Sequence, residues 1–119
     1  MNNVNILGID IAKRKFDVAL MVNNTVKHKV FQNNAPGFSN LRAWLAAKNI
    51  TQVHACLEAT GIYGDKLAAF LYKQSHTVSV VNPLKIKSFA QSTLSRNKTD
   101  KADARIIAQF CKVMQPTAW

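Results

Sequence analysis

Residues 4–11, VNILGIDI, are apolar at nearly every position, yet a single carboxylate, Asp10, sits near the end of the run. A short run of this kind reads as a strand buried on both faces. A carboxylate inside it costs several kcal/mol unless something positive or a hydrogen bond meets it. The remaining pattern shows what surrounds that strand. Residues 16–22, FDVALMV, form a second strand, Asn23-Asn24 is a turn signal, and 25–31 fold back as a third strand in a hairpin. Pro36 suits a helix start, and Phe38, Leu41, Trp44 and Leu45 recur at helical spacing over 37–48. Val53, Ala55 and Leu57 alternate in a fourth strand, 52–58, before Gly61 and Gly64 break the pattern.

A second helix over 62–74, a fifth strand over 77–81 stopped by Asn82-Pro83, and a short basic helix over 84–92 follow. Residues 93–99, TLSRNKT, are polar and basic and read as a loop. Asp100 is expected to open a last helix with Ile106, Ile107, Phe110 and Val113 on one side, ended by Pro116. The order βββαβαβαα predicts an α/β fold, a mixed five-stranded sheet with helices on its faces and the first and fourth strands as neighbours.

At 119 residues with 48% hydrophobic content, the chain fits one domain, 1–119, with a sizeable core. No apolar run approaches the roughly 20 residues of a membrane helix. No basic segment precedes the first apolar run, so it does not read as a secretory signal. These features predict a soluble, cytoplasmic protein with no membrane partner. Cys56 and Cys111 lie far apart and have neither metal-type nor redox-type spacing, so both read as small packed thiols. His28, His54 and His76 have no partner at ligand spacing and read as strand or turn residues. Phe38 and Trp44 read as packing. Tyr63 reads as packing too, with lining of the site near Glu58 as the alternative.

Charge is more informative. Sixteen Lys and Arg face six Asp and Glu, a formal +10 that favours nucleic acid as the partner. The candidate phosphate contacts are Lys13, beside Arg14 and Lys15, and the dense stretch Lys85, Lys87, Arg96, Lys98 and Lys101. Such contacts position a strand without reading its sequence.

The six acids divide. Asp10 and Glu58 end neighbouring strands and should project toward one edge. Asp100 and Asp103 stand three apart at a helix start, among Lys98, Lys101 and Arg105. Each has a structural alternative: a turn hydrogen bond for Asp10, solvation for Glu58, and helix capping for Asp100. Asp17 is expected on the outer face of the second strand and Asp65 in the first turn of a helix, both outside the site. Four carboxylates gathered at one point repel one another, and hard divalent cations turn that repulsion into binding. Acids on a basic protein fit a division in which bases hold the nucleic acid and acids hold the metal.

Three segments carry a family likeness. GIDIAKRKFDVAL, LEATGIYG and NKTDKADARIIA resemble, in order, the three signatures of the DEDD-motif insertion-sequence transposases, the group that includes Piv-type DNA invertases. The likeness runs from about Val4 to the end of the chain. It implies a ribonuclease H-like (RuvC-like) fold and Mg²⁺, with Mn²⁺ as an alternative. It implies Asp10, Glu58, Asp100 and Asp103 as the catalytic, metal-binding tetrad, and DNA cleavage and rejoining in transposition. It further implies a structured guide RNA, dimers or tetramers, and a second, C-terminal domain with a nucleophilic serine, to which Ser92 and Ser95 do not correspond. The chain is therefore expected to be a fragment lacking that domain. Competing readings are a non-catalytic nucleic-acid-binding module and a stand-alone metal-dependent nuclease. An actin-like or sugar-kinase fold, which also begins on a glycine-aspartate strand, lacks here its second phosphate loop and duplicated domain.

Overall fold

The computed structural model describes residues 5–59, 61–93 and 103–118. Five strands, β1 (Asn5–Ile11), β2 (Lys15–Val22), β3 (Thr25–Gln32), β4 (Val53–Glu58) and β5 (Thr77–Val81), form one sheet in the order β3-β2-β1-β4-β5. The hairpin partners β1/β2 and β2/β3 are antiparallel, whereas β4 runs parallel to β1 and β5 parallel to β4. The expected adjacency of the first and fourth strands is present, and β1 is the central strand.

Alternation assigns the two faces. Leu7, Ile9, Phe16, Val18, Leu20, Val53, Ala55, Leu57 and Val78 point into a core closed by α1 (Ala35–Ala47) and α2 (Asp65–Lys73). Ile6, Ala19, Cys56 and Val81 point the other way, under α3 (Pro83–Thr93) and α4 (Ala104–Met114). Covering on both sides is why β1 carries so few polar residues.

The Asn34 side chain caps α1, its Oδ1 accepting from the Gly37 amide at 2.9 Å. Phe38 packs in tilted contacts against Phe16 and Phe70, and Trp44 meets Phe31 edge-on at 5.8 Å, so both act as packing residues. Asn49 (φ 61°) and Ser75 (φ 72°) turn the chain after α1 and α2. The last helix begins later than the sequence pattern suggests. Asp103, not Asp100, is its N-cap, and left-handed Gln115 (φ 46°) ends it before Pro116. Its C-terminal end is tied to the sheet: Ser79 Oγ, fully buried, donates to the Pro116 carbonyl at 3.2 Å and lies 2.7 Å from His54 Nε2. His54 is thus a strand residue with a structural partner. Among the described residues, no helix is long and apolar enough to cross a membrane.

Candidate metal and nucleic-acid site

Parallel strands β1 and β4 end at the same edge of the sheet. Gly8 pairs with Cys56 and Ile9 with Leu57, so Asp10 and Glu58 stand one step further along on adjacent strands. Both follow the phase of Gly8 and Cys56, which places them on the α3/α4 face, and both are partly buried. This is the shared edge and face that the two carboxylates need. Ligands of open α/β sheets characteristically bind outside the carboxyl ends of the strands.

Helix α4 is brought to this edge by Gly8. A Cβ at Gly8 would collide with the Ala104 carbonyl oxygen and the Ala108 amide, so only glycine admits the helix this close. Further along α4, Cys111 Sγ donates to the His54 carbonyl at 3.9 Å, nearer the start of β4. The helix therefore runs back down the sheet from its N-terminus, which faces the carboxylate edge. Asp103, exposed, stands at that N-terminus. Its Oδ1 accepts from the Ile106 amide at 3.0 Å, the capping role expected of Asp100. Asp100 lies outside the described residues. Among the described residues, no three acid, histidine or cysteine side chains form a ready-made cation cage.

Asp17 corrects an expectation. It is not on an outer face but directly opposite Asp10 in the β1/β2 ladder, and therefore on the same side of the sheet. Its Oδ1 is buried with no hydrogen-bond partner among the described residues. No sequence pattern labels that side; the register and the packing do. Asp17 shares its phase with Ala19 and Met21, both packed under α4 or beside it, which marks that side of β2 as covered.

Asn33 is a second residue that no sequence pattern singles out. Its amide nitrogen donates to Tyr63 O at 2.9 Å and to Ala12 O at 3.1 Å, with a longer contact to Lys13 O at 3.5 Å. Its backbone N–H donates to Arg14 O at 2.8 Å. One side chain thus joins the basic β1–β2 turn to the loop after Glu58. That loop includes Gly61, whose φ of 73° falls where side chains are strained. Tyr63 is 44% exposed, so it does not pack in the core, and its neighbour Ile62 is 75% exposed.

Of the proposed phosphate contacts, Lys13 lies in the exposed turn at the end of β1, and Lys85 and Lys87 are exposed on α3, which starts just past β5. Ala59 N–H donates to the Val81 carbonyl at 2.9 Å, so the start of α3 is held beside the end of β4. Arg96, Lys98 and Lys101 lie outside the described residues. The two cysteines, free and buried, prove to be neighbours: a hydrogen bond with Cys111, then burial, push the Cys56 thiol above its ordinary value.

Comparisons agree with this architecture. The family model described as Transposase, that of the DEDD transposases, matches residues 7–118. The chain is 42% identical over 115 residues to the pilin gene-inverting proteins of Moraxella bovis and Moraxella lacunata. That match takes in 95% of this chain but 36% of each relative, so the chain spans about a third of their length. Among solved structures, Thermus thermophilus RuvC superposes with a TM-score of 0.59 at 12% identity, covering 97% of this chain and 98% of that one. The same protein in complex with a Holliday junction substrate gives 0.54 at 11% identity, with the same coverage. The fold is thus the RuvC-like, ribonuclease H-like one, and with its family model matched along nearly all its length, the chain belongs to the DEDD transposase family.

Proposed function

We propose that these 119 residues form the catalytic domain of a DNA transposase or recombinase, which uses carboxylate-held Mg²⁺ or Mn²⁺ to position a scissile phosphate. One observation carries this reading. Asp10 and Glu58 end adjacent parallel strands on one face, and Gly8 seats the N-terminus of α4, with Asp103, toward the same edge. Asp100, three residues before Asp103, completes the set.

The residues present suit a hard divalent cation. The donors are carboxylate oxygens, and on the same face the buried Oδ1 of Asp17 accepts no hydrogen bond from a described residue. Asp10, Glu58, Asp100 and Asp103 would hold the metal. When bound, such ions act as Lewis acids on phosphate oxygens and stabilise the charge that develops on cleavage.

The chain's own groups do the rest. The exposed amines of Lys13, Lys85 and Lys87 bind backbone phosphates on either side of the carboxylate edge, and Arg96, Lys98 and Lys101 are the further candidate phosphate contacts. Asn33 fixes the basic turn against the Tyr63 loop, so the phosphate meets a preformed wall. The capping bond holds the Asp103 carboxylate at the N-terminus of α4, facing the site.

The partner is duplex or branched DNA, given the Holliday junction bound by the structurally similar RuvC. Strand transfer needs the serine that the family resemblance places in a further domain. That resemblance also supplies the expected guide RNA and the dimeric or tetrameric assembly. The domain alone thus binds and positions but does not exchange strands.

A Mg²⁺ and Mn²⁺ titration followed by thermal unfolding tests the reading. Metal should raise the melting temperature of the wild-type chain, and Asp10→Asn or Glu58→Gln should abolish the rise. Indifference to metal in all three would favour a non-catalytic binding module. DNA cleavage by the isolated domain would favour a stand-alone nuclease.

A further inference from the structure

Ile62 and Tyr63 lie in the loop between β4 and α2, and both stand in solvent, at 75% and 44% exposure. Among the described residues no large apolar side chain is more exposed than Ile62. One exposed apolar side chain is ordinary in a folded protein. Two in succession on a pinned loop call for a cover. The pinning is on both sides of the pair. Gly61 turns the chain with a left-handed φ of 73°. Gly64 is buried, and it sits so close to the sheet that a Cβ would come within 2.8 Å of Leu57 Cδ1 and 3.6 Å of Ile11 Cγ1. The Asp65 amide closes a turn on the Ile62 carbonyl at 3.2 Å, and the Asn33 side chain holds the Tyr63 carbonyl at 2.9 Å.

These contacts fix where the pair stands. Leu57 precedes Glu58 and Ile11 follows Asp10, so the loop rests on the ends of the two strands that carry the carboxylates. Through Asn33, which also donates to Ala12 O, the pair is tied to the exposed turn of Lys13, Arg14 and Lys15. The partner that suits such a surface is anionic and offers flat apolar faces close to its charges. DNA does so only where its stack is open. An intact duplex presents phosphates and base edges, whereas an unpaired base presents its face.

We infer that Ile62 and Tyr63 form a wedge that packs against an unpaired or splayed base, next to the phosphate at the carboxylate edge. The inference rests on the nucleic-acid reading above and names the form of DNA selected: one whose stack is interrupted, as at a branch or a bulge. The Tyr63 ring supplies a stacking face. Ile62, stiff because it is branched at Cβ, fills the space between separated bases. Neither makes a base-specific hydrogen bond, so the wedge selects structure and not sequence. The lysines supply attraction, and the apolar pair supplies the choice between DNA forms.

Gel-shift affinities are measured for a continuous duplex and for the same duplex carrying a short unpaired bulge. The full chain is compared with Ile62→Ser, Tyr63→Ser, the two combined, Tyr63→Phe and Val113→Ser. The last removes an apolar side chain that is 65% exposed on α4. The wild-type chain should bind the bulged DNA about tenfold more tightly than the duplex, the scale of one stacked base. Each serine variant at the wedge should lose most of that ratio while keeping its duplex affinity and its urea midpoint. Tyr63→Phe and Val113→Ser should keep the ratio.

A wild-type ratio near one would overturn the proposal. So would a ratio unchanged in the combined variant, the result expected if the pair docks a protein segment instead. Equal weakening toward both DNAs would overturn it too, since the pair would then act only by shaping the phosphate contacts. A wild-type chain that binds neither DNA removes the nucleic-acid reading itself, so the two failures are distinguishable.

Discussion

Gly8 lies beneath Ala104 with no space for a side chain: a Cβ would strike the helix backbone at Ala104 and Ala108. This contact couples the central strand to the helix whose cap is Asp103. It therefore fixes the depth at which α4 enters the carboxylate edge. Gly8→Ala should force α4 outward, because backbone atoms cannot swing aside as a flexible side chain can. Overpacking of this kind costs about 1–3 kcal/mol. A drop of that size in urea-derived stability, with a weaker metal-induced rise in melting temperature, is the expected pair of results. Stability lost with the metal response intact would show that the position of α4 does not govern the site.

Asn33 makes a different prediction, because its bonds lie at the surface. The side chain spans the basic turn and the loop after Glu58 through Ala12 O and Tyr63 O. A hydrogen bond contributes a net of about 0.5–1.5 kcal/mol, and exposed ones fall at the low end. Asn33→Ala should thus cost only about 1 kcal/mol in stability. Its effect on DNA binding should be larger, since Lys13 and Tyr63 lose their common anchor. Gel-shift affinity and urea midpoints measured on the same variant would separate the two. Equal wild-type affinity would remove Asn33 from the site.

His76 gives the fold a pH dependence. Burial holds its pKa below the ordinary 6.5, and its Nδ1 accepts the Val53 amide at 3.0 Å, which only the neutral ring can do. The unfolded chain therefore takes up a proton first as pH falls through about 6.5. The stability that the neutral ring contributes is present above that pH and is lost progressively as pH drops toward the folded-state value. Urea midpoints should decline from pH 7.5 to 5.5, and His76→Asn, which keeps an acceptor without a titration, should flatten the decline. An identical slope in the variant would place the pH sensitivity elsewhere.

Much of this arrangement was legible in the sequence because burial imposes periodicity. The alternation of Val53, Ala55 and Leu57 and the apolar run around Asp10 identify strands whose parallel pairing then puts Asp10 beside Glu58. What escaped depends on how separate elements cross. Asp17 looked like an exposed strand acid, since a lone carboxylate among apolar residues carries no label for its side of the sheet. Only the register with Asp10 supplies that label. Either Asp100 or Asp103 could have capped α4, and the close seat over Gly8 is the long-range contact that accompanies the later start. The meeting of Cys56 and Cys111 likewise follows from the path of α4 over β4, which no spacing rule encodes.

The basic surface can be tested by salt. Each phosphate neutralised on duplex DNA contributes about −0.9 to the slope of log affinity against log salt. If Lys13, Lys85 and Lys87 each contact a phosphate, replacing any one by alanine should lower the magnitude of that slope by roughly one. Affinity should fall uniformly across DNA sequences, because phosphate contacts do not read bases. Lys48 is the internal control: its amine lies 5.0 Å from the Trp44 ring centroid at the end of α1, on the opposite face of the sheet. Lys48→Ala should leave the slope untouched. A slope altered equally by Lys48→Ala would mean that the net charge of the whole chain attracts DNA, with no preference for the carboxylate edge.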